Sequence, residues 1–250
     1  MQINDLPRVR EHLAVVWKEI VMRASDVMSI NVCTAKPETP INEVARRLCD
    51  RHISAMPVVD DENRVLGIVS EGDLLRRVEF GTDRRSWWLD LFSSNAELAK
   101  RYVKSHGRTA RDVMTRPAIT IEDTTELSEI ARLLEGHRIK RLPVVKDGKL
   151  VGIVSRADIV RGLIVAAKTW GRSRTIDDEK LRAAIYDELH GLPFISASFV
   201  NVVVSDGEVH IWGTVETAEQ KAAIRVACEN MRGVREVTDN IVVWHVPHYV

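Results

Sequence analysis

The sequence predicts an α+β (mixed α/β) fold in which two copies of a β-α-β-β-α unit precede a smaller α-β-β-α-β unit. Three observations predict it. Residues 24–77 and 109–162 are one stretch written twice: Asp26-Val27-Met28 recurs as Asp112-Val113-Met114, and Pro57-Val58-Val59 as Pro143-Val144-Val145. Gly67-Ile68-Val69-Ser70 with Asp73 recurs as Gly152-Ile153-Val154-Ser155 with Asp158, at a spacing one residue shorter, so one residue has been lost from the turn between. Within each copy the apolar residues change from helical to strand spacing, and beyond residues 169–175 the pattern changes again. A duplicated unit that cannot close its own core packs against its copy, and the seam between pseudo-symmetric copies is a natural place for a ligand.

The elements follow in order. Residues 30–33 form a short apolar run, read as the first strand. Thr39-Pro40 reads as a helix start, with Thr as N-cap and Pro at the first helical position. Ile41, Val44, Ala45 and Leu48 then share one helical face, as do Leu127, Ile130, Ala131 and Leu134 in the second copy. Residues 56–59 and 65–69 are strands joined by a polar turn. In the second copy that turn is Lys146-Asp147-Gly148-Lys149, a hairpin signal. Each copy closes with a helix starting near Ser70 or Ser155. Between the copies, residues 78–108 are too many for a simple loop and read as a mostly helical insertion that lays aromatics, Trp87 and Trp88 among them, on the repeat body. In the last unit Asp177-Asp178-Glu179 opens a helix, since acids favour its N-terminal end. Residues 199–205 and 208–212 are strands around Asp206-Gly207. Thr217-x-x-Gln220 is a capping box, and residues 234–243 are the final strand. The predicted organisation is an extension (1–21, with a short helix at 9–21), first repeat (22–78), insertion (79–108), second repeat (109–165), linker (166–175) and C-terminal domain (176–246).

Composition narrows the function. Thirty-six Lys and Arg balance 36 Asp and Glu, so the whole chain makes no electrostatic case for nucleic acid or anionic membrane. The basic stretch 76–116, with ten cations against five acids, reads as a solvated face or as an anion or partner surface. Cys33, Cys49 and Cys228 form no C-x-x-C pattern and read as reduced, buried small residues. No apolar run approaches the roughly 18 residues of a membrane span. Leu13 to Trp17 is too short for a signal peptide, so a cytoplasmic protein is expected; Met22 is a second candidate start. There is no phosphate-binding Gly-rich loop, no His-Glu-x-x-His and no nucleophile motif, which argues against an enzyme. The eight histidines are scattered, and no metal site is expected. His210, beside Trp212 on a strand, reads as a residue of the pleated surface.

The chemistry concentrates at the repeated Gly-Ile-Val-Ser-x-x-Asp. Gly67 and Gly152 sit inside strands, where glycine weakens pairing unless something approaches closely. Ser70 and Ser155 stand at strand-to-helix junctions, where a serine caps the helix and free amides hold phosphate. Asp73 and Asp158 lie one helical turn on. An ionised carboxylate only accepts hydrogen bonds and so suits the hydroxyls of a ribose. Ser-x-x-Asp is also a capping pattern that needs no ligand.

With these motifs in register twice, residues 22–165 resemble a tandem pair of CBS domains, a Bateman module. The stretch from Val202 to Gly213 and Gly233-Val234-Arg235-Glu236-Val237-Thr238-Asp239 resemble a BON domain. The first resemblance implies a non-catalytic regulatory protein sensing AMP, ADP or ATP, or else NAD or S-adenosylmethionine, and a homodimer through the repeats. It also implies two crossed sites. One joins Ile53-Ser54-Ala55 with Ser155 and Asp158. The other joins Ile139-Lys140-Arg141 with Ser70 and Asp73, the paired cations facing phosphate. Backbone near Val32-Cys33 and Ala118-Ile119 would line the adenine pockets. Ligand binding is expected to shift the packing of the repeats and so to alter how the basic insertion, or the BON domain of the second resemblance, meets an unidentified protein partner. The alternative that the second resemblance implies is a phospholipid or envelope adaptor, with the repeats as dimerisation scaffold.

Overall fold

A computed structural model describes residues 22–75, 94–168, 176–195 and 200–244. The helix expected at 9–21, Trp87 and Trp88, residues 169–175, Phe199 and His245 and His248 lie outside the described residues. The chain divides into two units: residues 30–122 with Arg141–Ile153, and residues up to 29 with Asp123–Lys140 and those from 154 onward. Each unit takes elements from both sequence repeats.

The first repeat opens with α1 (Ala24–Val27), followed by α2 (Ile41–Asp50), β1 (Ala55–Val59), β2 (Val65–Ser70) and α3 (Glu71–Leu75). The insertion contributes α4 (Asn95–His106). The second repeat gives α5 (Ala110–Val113), β3 (Ile121–Glu122), α6 (Leu127–Gly136), β4 (Arg141–Lys146), β5 (Lys149–Ser155) and α7 (Arg156–Lys168). The C-terminal domain is α8 (Ile176–Gly191), β6 (Val200–Ser205), β7 (Glu208–Val215), α9 (Ala218–Glu229) and β8 (Glu236–Val243).

The short helices α1 and α5 explain the recurring Asp-Val-Met. Asp112 accepts the Thr109 amide and hydroxyl at 3.0 and 2.9 Å, and Asp26 accepts the Arg23 amide at 2.7 Å. Each acid thus satisfies amides that a helix start leaves free. Burial pushes the Asp112 carboxyl up, but the Thr109 hydroxyl, with the Thr109 and Arg108 amides, outweighs it and holds the carboxyl below its ordinary value.

In the unit built on the first repeat, the α5 end of the second repeat threads onto the start of α2. The Ile41 amide bonds the Arg108 carbonyl at 2.9 Å, and the Ala110 amide bonds the Thr39 carbonyl at 2.9 Å. Val44, Leu48, Met56, Val58 and Val69 bury against Ala110, Val113 and Met114. The other unit repeats the arrangement with roles exchanged: the Ala24 amide bonds the Thr125 carbonyl and the Leu127 amide the Met22 carbonyl. Each leading helix completes the core of the other copy, as expected of a unit that cannot close alone.

Several expectations are corrected. The first strand is not residues 30–33: Ala35 makes the bridge to Val58, matched in the second copy by β3 pairing with Val144 and Val145. Thr39 does not cap α2. Its hydroxyl accepts the Lys36 amide at 2.9 Å, and Pro40 holds the cap position. In the first copy's hairpin Val58 pairs Gly67 and Val59 pairs Val65, so Leu66 forms a bulge in β2. In α4 Tyr102 stacks on His106 at 4.0 Å and is 64% exposed, so it does not cover the repeat body. Of the three cysteines only Cys228 is buried; Cys49 is exposed and Cys33 half-buried.

The C-terminal domain has the sheet order β6-β7-β8, with β6 and β7 antiparallel and β7 and β8 parallel. Asp206 and Gly207 both adopt positive φ, as a two-residue hairpin turn requires. The acids that open α8 do more than meet its dipole: buried Asp178 accepts the Asp206 and Gly207 amides at 3.0 and 2.9 Å. Thr217 and Gln220 form the expected capping box on α9. Burial is the main cause pushing the Cys228 thiol up to about 12, so it stays protonated. His210 is buried rather than on the surface and stacks on Trp212 at 5.8 Å.

Candidate functional site

Both Ser-x-x-Asp motifs stand where β2 runs into α3 and β5 into α7, and both acids are buried. Their two oxygens do different work. Oδ2 caps the junction: in Asp73 it accepts the Ser70 amide at 3.0 Å and hydroxyl at 2.7 Å, and in Asp158 the Ser155 amide at 2.8 Å and hydroxyl at 2.7 Å. In the second copy the Ser155 hydroxyl also accepts the Asp158 amide at 3.4 Å, closing the capping box. The capping interpretation is therefore correct as far as it goes, and it leaves Oδ1 of each acid for other partners.

Two of those partners, Lys104 and Asn201, come from outside the repeats. Lys104, near the end of α4, places Nζ 2.7 Å from Asp73 Oδ1, and the Thr115 hydroxyl lies 3.3 Å from it. Asp158 Oδ1 accepts from Arg161 Nη1 at 2.9 Å and from Asn201 Nδ2, on β6 of the C-terminal domain, at 3.0 Å. Sequence reasoning missed Lys104, Arg161 and Asn201. Only Asn201 carried a signal, as the single amide in Val200–Ser205, whose six residues are all buried.

The strand-start segments lie beside the serines of their own copies. Ile53 packs on the first core. The Ser54 carbonyl accepts the Glu71 amide at 3.0 Å, and Ala55 pairs with Ser70. In the second copy the Ile139 carbonyl accepts Arg156 Nε at 3.2 Å and the Lys140 carbonyl accepts the Arg156 amide at 3.3 Å. Lys140 is exposed, and Arg141 opens β4. The glycine in β2 has a partner in close approach, and it is protein: a Cβ on Gly67 would stand 2.6 Å from Met114 Sδ and 2.9 Å from the Thr115 carbonyl oxygen. Among the described residues no cluster of three or more His, Cys, Asp or Glu is placed to hold a metal, and no helix is long and apolar enough to cross a membrane.

The model of the CBS domain matches this chain twice, at residues 24–79 and 110–165, and that of the BON domain matches residues 177–243. An uncharacterized protein of Methanocaldococcus jannaschii, MJ1426, is 30% identical over 156 residues, spanning 58% of this chain and 92% of that protein. The chain belongs to the CBS-domain family. The CBS domain-containing protein CBSX2 of Arabidopsis thaliana is 34% identical over 145 residues, 54% of this chain and 59% of that protein. The chain thus spans about three fifths of the length of that curated relative. The crystal structure of CBSX2 in complex with AMP superimposes with a TM-score of 0.52 at 33% identity, covering 58% of this chain and 98% of that one. The inosine-5'-monophosphate dehydrogenase of Thermoplasma acidophilum is 33% identical over 159 residues, only 26% of that enzyme.

Proposed function

We propose that this CBS-domain protein is a non-catalytic cytoplasmic regulator that binds an adenosine-containing ligand through its repeats and passes the bound state to a protein partner through the BON domain. What supports the reading most directly is the pair of buried acids at Asp73 and Asp158, each with one oxygen that helix capping does not use. A ribose hydroxyl is a donor suited to that oxygen. Ser70 and Ser155 open the helices beside it. Ile53, Ser54 and Ala55 line one adenosine, and Ile139, Lys140 and Arg141 the other, the two cations meeting phosphate. AMP, ADP and ATP head the candidates, before NAD and S-adenosylmethionine; the similar CBSX2 was crystallised with AMP.

The test is thermal unfolding of the full chain with each of these five ligands, repeated on Asp73→Ala and Asp158→Ala. A ligand at 100 times its dissociation constant is expected to add about 2.7 kcal/mol of stability, with the gain lost in one of the two variants. A gain undiminished in both would remove these acids from the site.

We also propose a homodimer through the repeats. On α7, Val160, Leu163 and Ile164 share a face and are exposed. Ile164→Glu is expected to shift the chain from dimer to monomer in sedimentation velocity; an unchanged sedimentation coefficient would reject this face. The phospholipid alternative draws on exposed Phe194, Val242 and Trp244 of the C-terminal domain. Co-sedimentation of the full chain with anionic vesicles decides it.

A further inference from the structure

We infer that the BON domain is a built-in occupant of the second Ser-x-x-Asp motif, so that adenosine ligand and BON domain compete for Asp158. The inference rests on the adenosine reading of that motif and adds its regulation.

Three side chains fasten the domain there. Asn201 Nδ2 donates to Asp158 Oδ1 at 3.0 Å, to the Val27 carbonyl at 2.9 Å and to the Ser29 hydroxyl at 3.3 Å. Arg161 of α7 bonds the same Asp158 oxygen and lies over the Trp212 ring at 5.9 Å, and Trp212 pairs with Asn201 across β6 and β7. Arg182 of α8, buried, reaches back to the Ser25 and Met28 carbonyls at 2.8 and 2.6 Å.

The chemistry at Asp158 is that of a stand-in. The helix cap takes Oδ2, and the amide of Asn201 donates to Oδ1, where a ribose hydroxyl would donate. The carboxylate is 4% exposed, so no sugar reaches it while β6 is seated. Asn201 is also out of place as a core residue. Its own Oδ1 is buried with no hydrogen-bond partner among the described residues, a burden that valine, its neighbour on both sides, would not carry. An amide kept in an apolar strand at that cost is explained by what its Nδ2 holds. A ribose at this oxygen needs the space that the Asn201 side chain and β6 fill, so ligand loosens the domain by the same factor by which the docked domain weakens ligand. The partner-facing surface of the BON domain then becomes free when adenosine ligand rises.

Isothermal titration of the full chain with AMP, ATP and S-adenosylmethionine tests this on wild type, Asn201→Ala, Arg182→Ala and Asp158→Ala. The result expected is at least tenfold tighter binding in Asn201→Ala and in Arg182→Ala, and loss of that site in Asp158→Ala. Arg182 makes none of the contacts to Asp158, so its effect separates release of the domain from a local change at the acid, and it keeps the test valid if either variant folds poorly. Wild-type binding that is lost in Asp158→Ala but unchanged in both release variants would overturn the competition and leave the adenosine reading standing. Absence of binding in all forms, Asn201→Ala included, or full binding in Asp158→Ala, would overturn the adenosine reading at this motif and the competition with it.

Discussion

Arg182→Ala is expected to lower the unfolding free energy by roughly 2–4 kcal/mol, because a buried polar group left without its partner costs about 1–3 kcal/mol. The guanidinium serves three carbonyls, one per nitrogen: Val202 through Nε at 2.7 Å, Ser25 through Nη1 at 2.8 Å and Met28 through Nη2 at 2.6 Å. It also lies 5.0 Å over the Tyr186 ring, whose hydroxyl donates to no carbonyl of this set but accepts the Val202 amide at 3.0 Å. Truncation strands three acceptors together and opens a gap between α8 and β6. Water entering that gap recovers part of the loss, which is why the expected figure is well below three full penalties. Arg182→Lys is expected to recover little, since a compact ammonium cannot span three carbonyls in a fixed fork. Urea unfolding followed by circular dichroism measures both. A loss under about 1 kcal/mol would mean that the carbonyls are readily hydrated. The same variant is predicted to bind adenosine ligand more tightly. Lower stability together with higher affinity is the combination that competition between domain and ligand produces.

The repeat, its helix faces and its hairpins were legible because they rest on local rules. Helical spacing placed α2 and α6, and the Asp206-Gly207 turn placed β6 and β7. Short elements were not legible. The four residues of α1 or α5 hold too little periodicity to register, although Thr109-x-x-Asp112 is a capping pattern of the kind recognised at Thr217-x-x-Gln220. At the site, Ser70, Asp73, Ser155 and Asp158 could be read because they recur. What meets the acids could not: Lys104 lies 31 residues from Asp73 and Asn201 lies 43 from Asp158. Long-range contacts of that kind are set by how the elements pack, and neither pairing recurs between the copies. His210 shows the same limit. Alternation on a strand suggests a solvated face, but β6 is buried throughout and β7 buries Val209, His210 and Ile211 in succession.

Gly67→Val is expected to destabilise the unit built on the first repeat by roughly 2–4 kcal/mol, at or above the usual 1–3 kcal/mol of overpacking. The reason for the excess lies in what the new side chain meets. At 2.6 Å the Met114 sulfur has a flexible stem and can swing aside. The Thr115 carbonyl oxygen, 2.9 Å away, cannot. It is fixed by the Ile68 amide at 3.1 Å, while the Thr115 amide returns a bond to the Ile68 carbonyl at 2.9 Å. To admit a side chain, β2 must part from the second copy's Met114 and Thr115 and so expose part of the core that Met114 completes. A double-mutant cycle separates the two obstacles. Met114→Ala is expected to relieve the sulfur contact and recover a minor part of the loss in Gly67→Val, leaving the larger, backbone part in place. Full recovery would locate the whole obstacle in the methionine. The cycle also decides why glycine stands in this strand. A loss of stability without a change in ligand affinity marks Gly67 as the point where one repeat's backbone lies against the other's. A loss of affinity at unchanged stability would return it to the ligand.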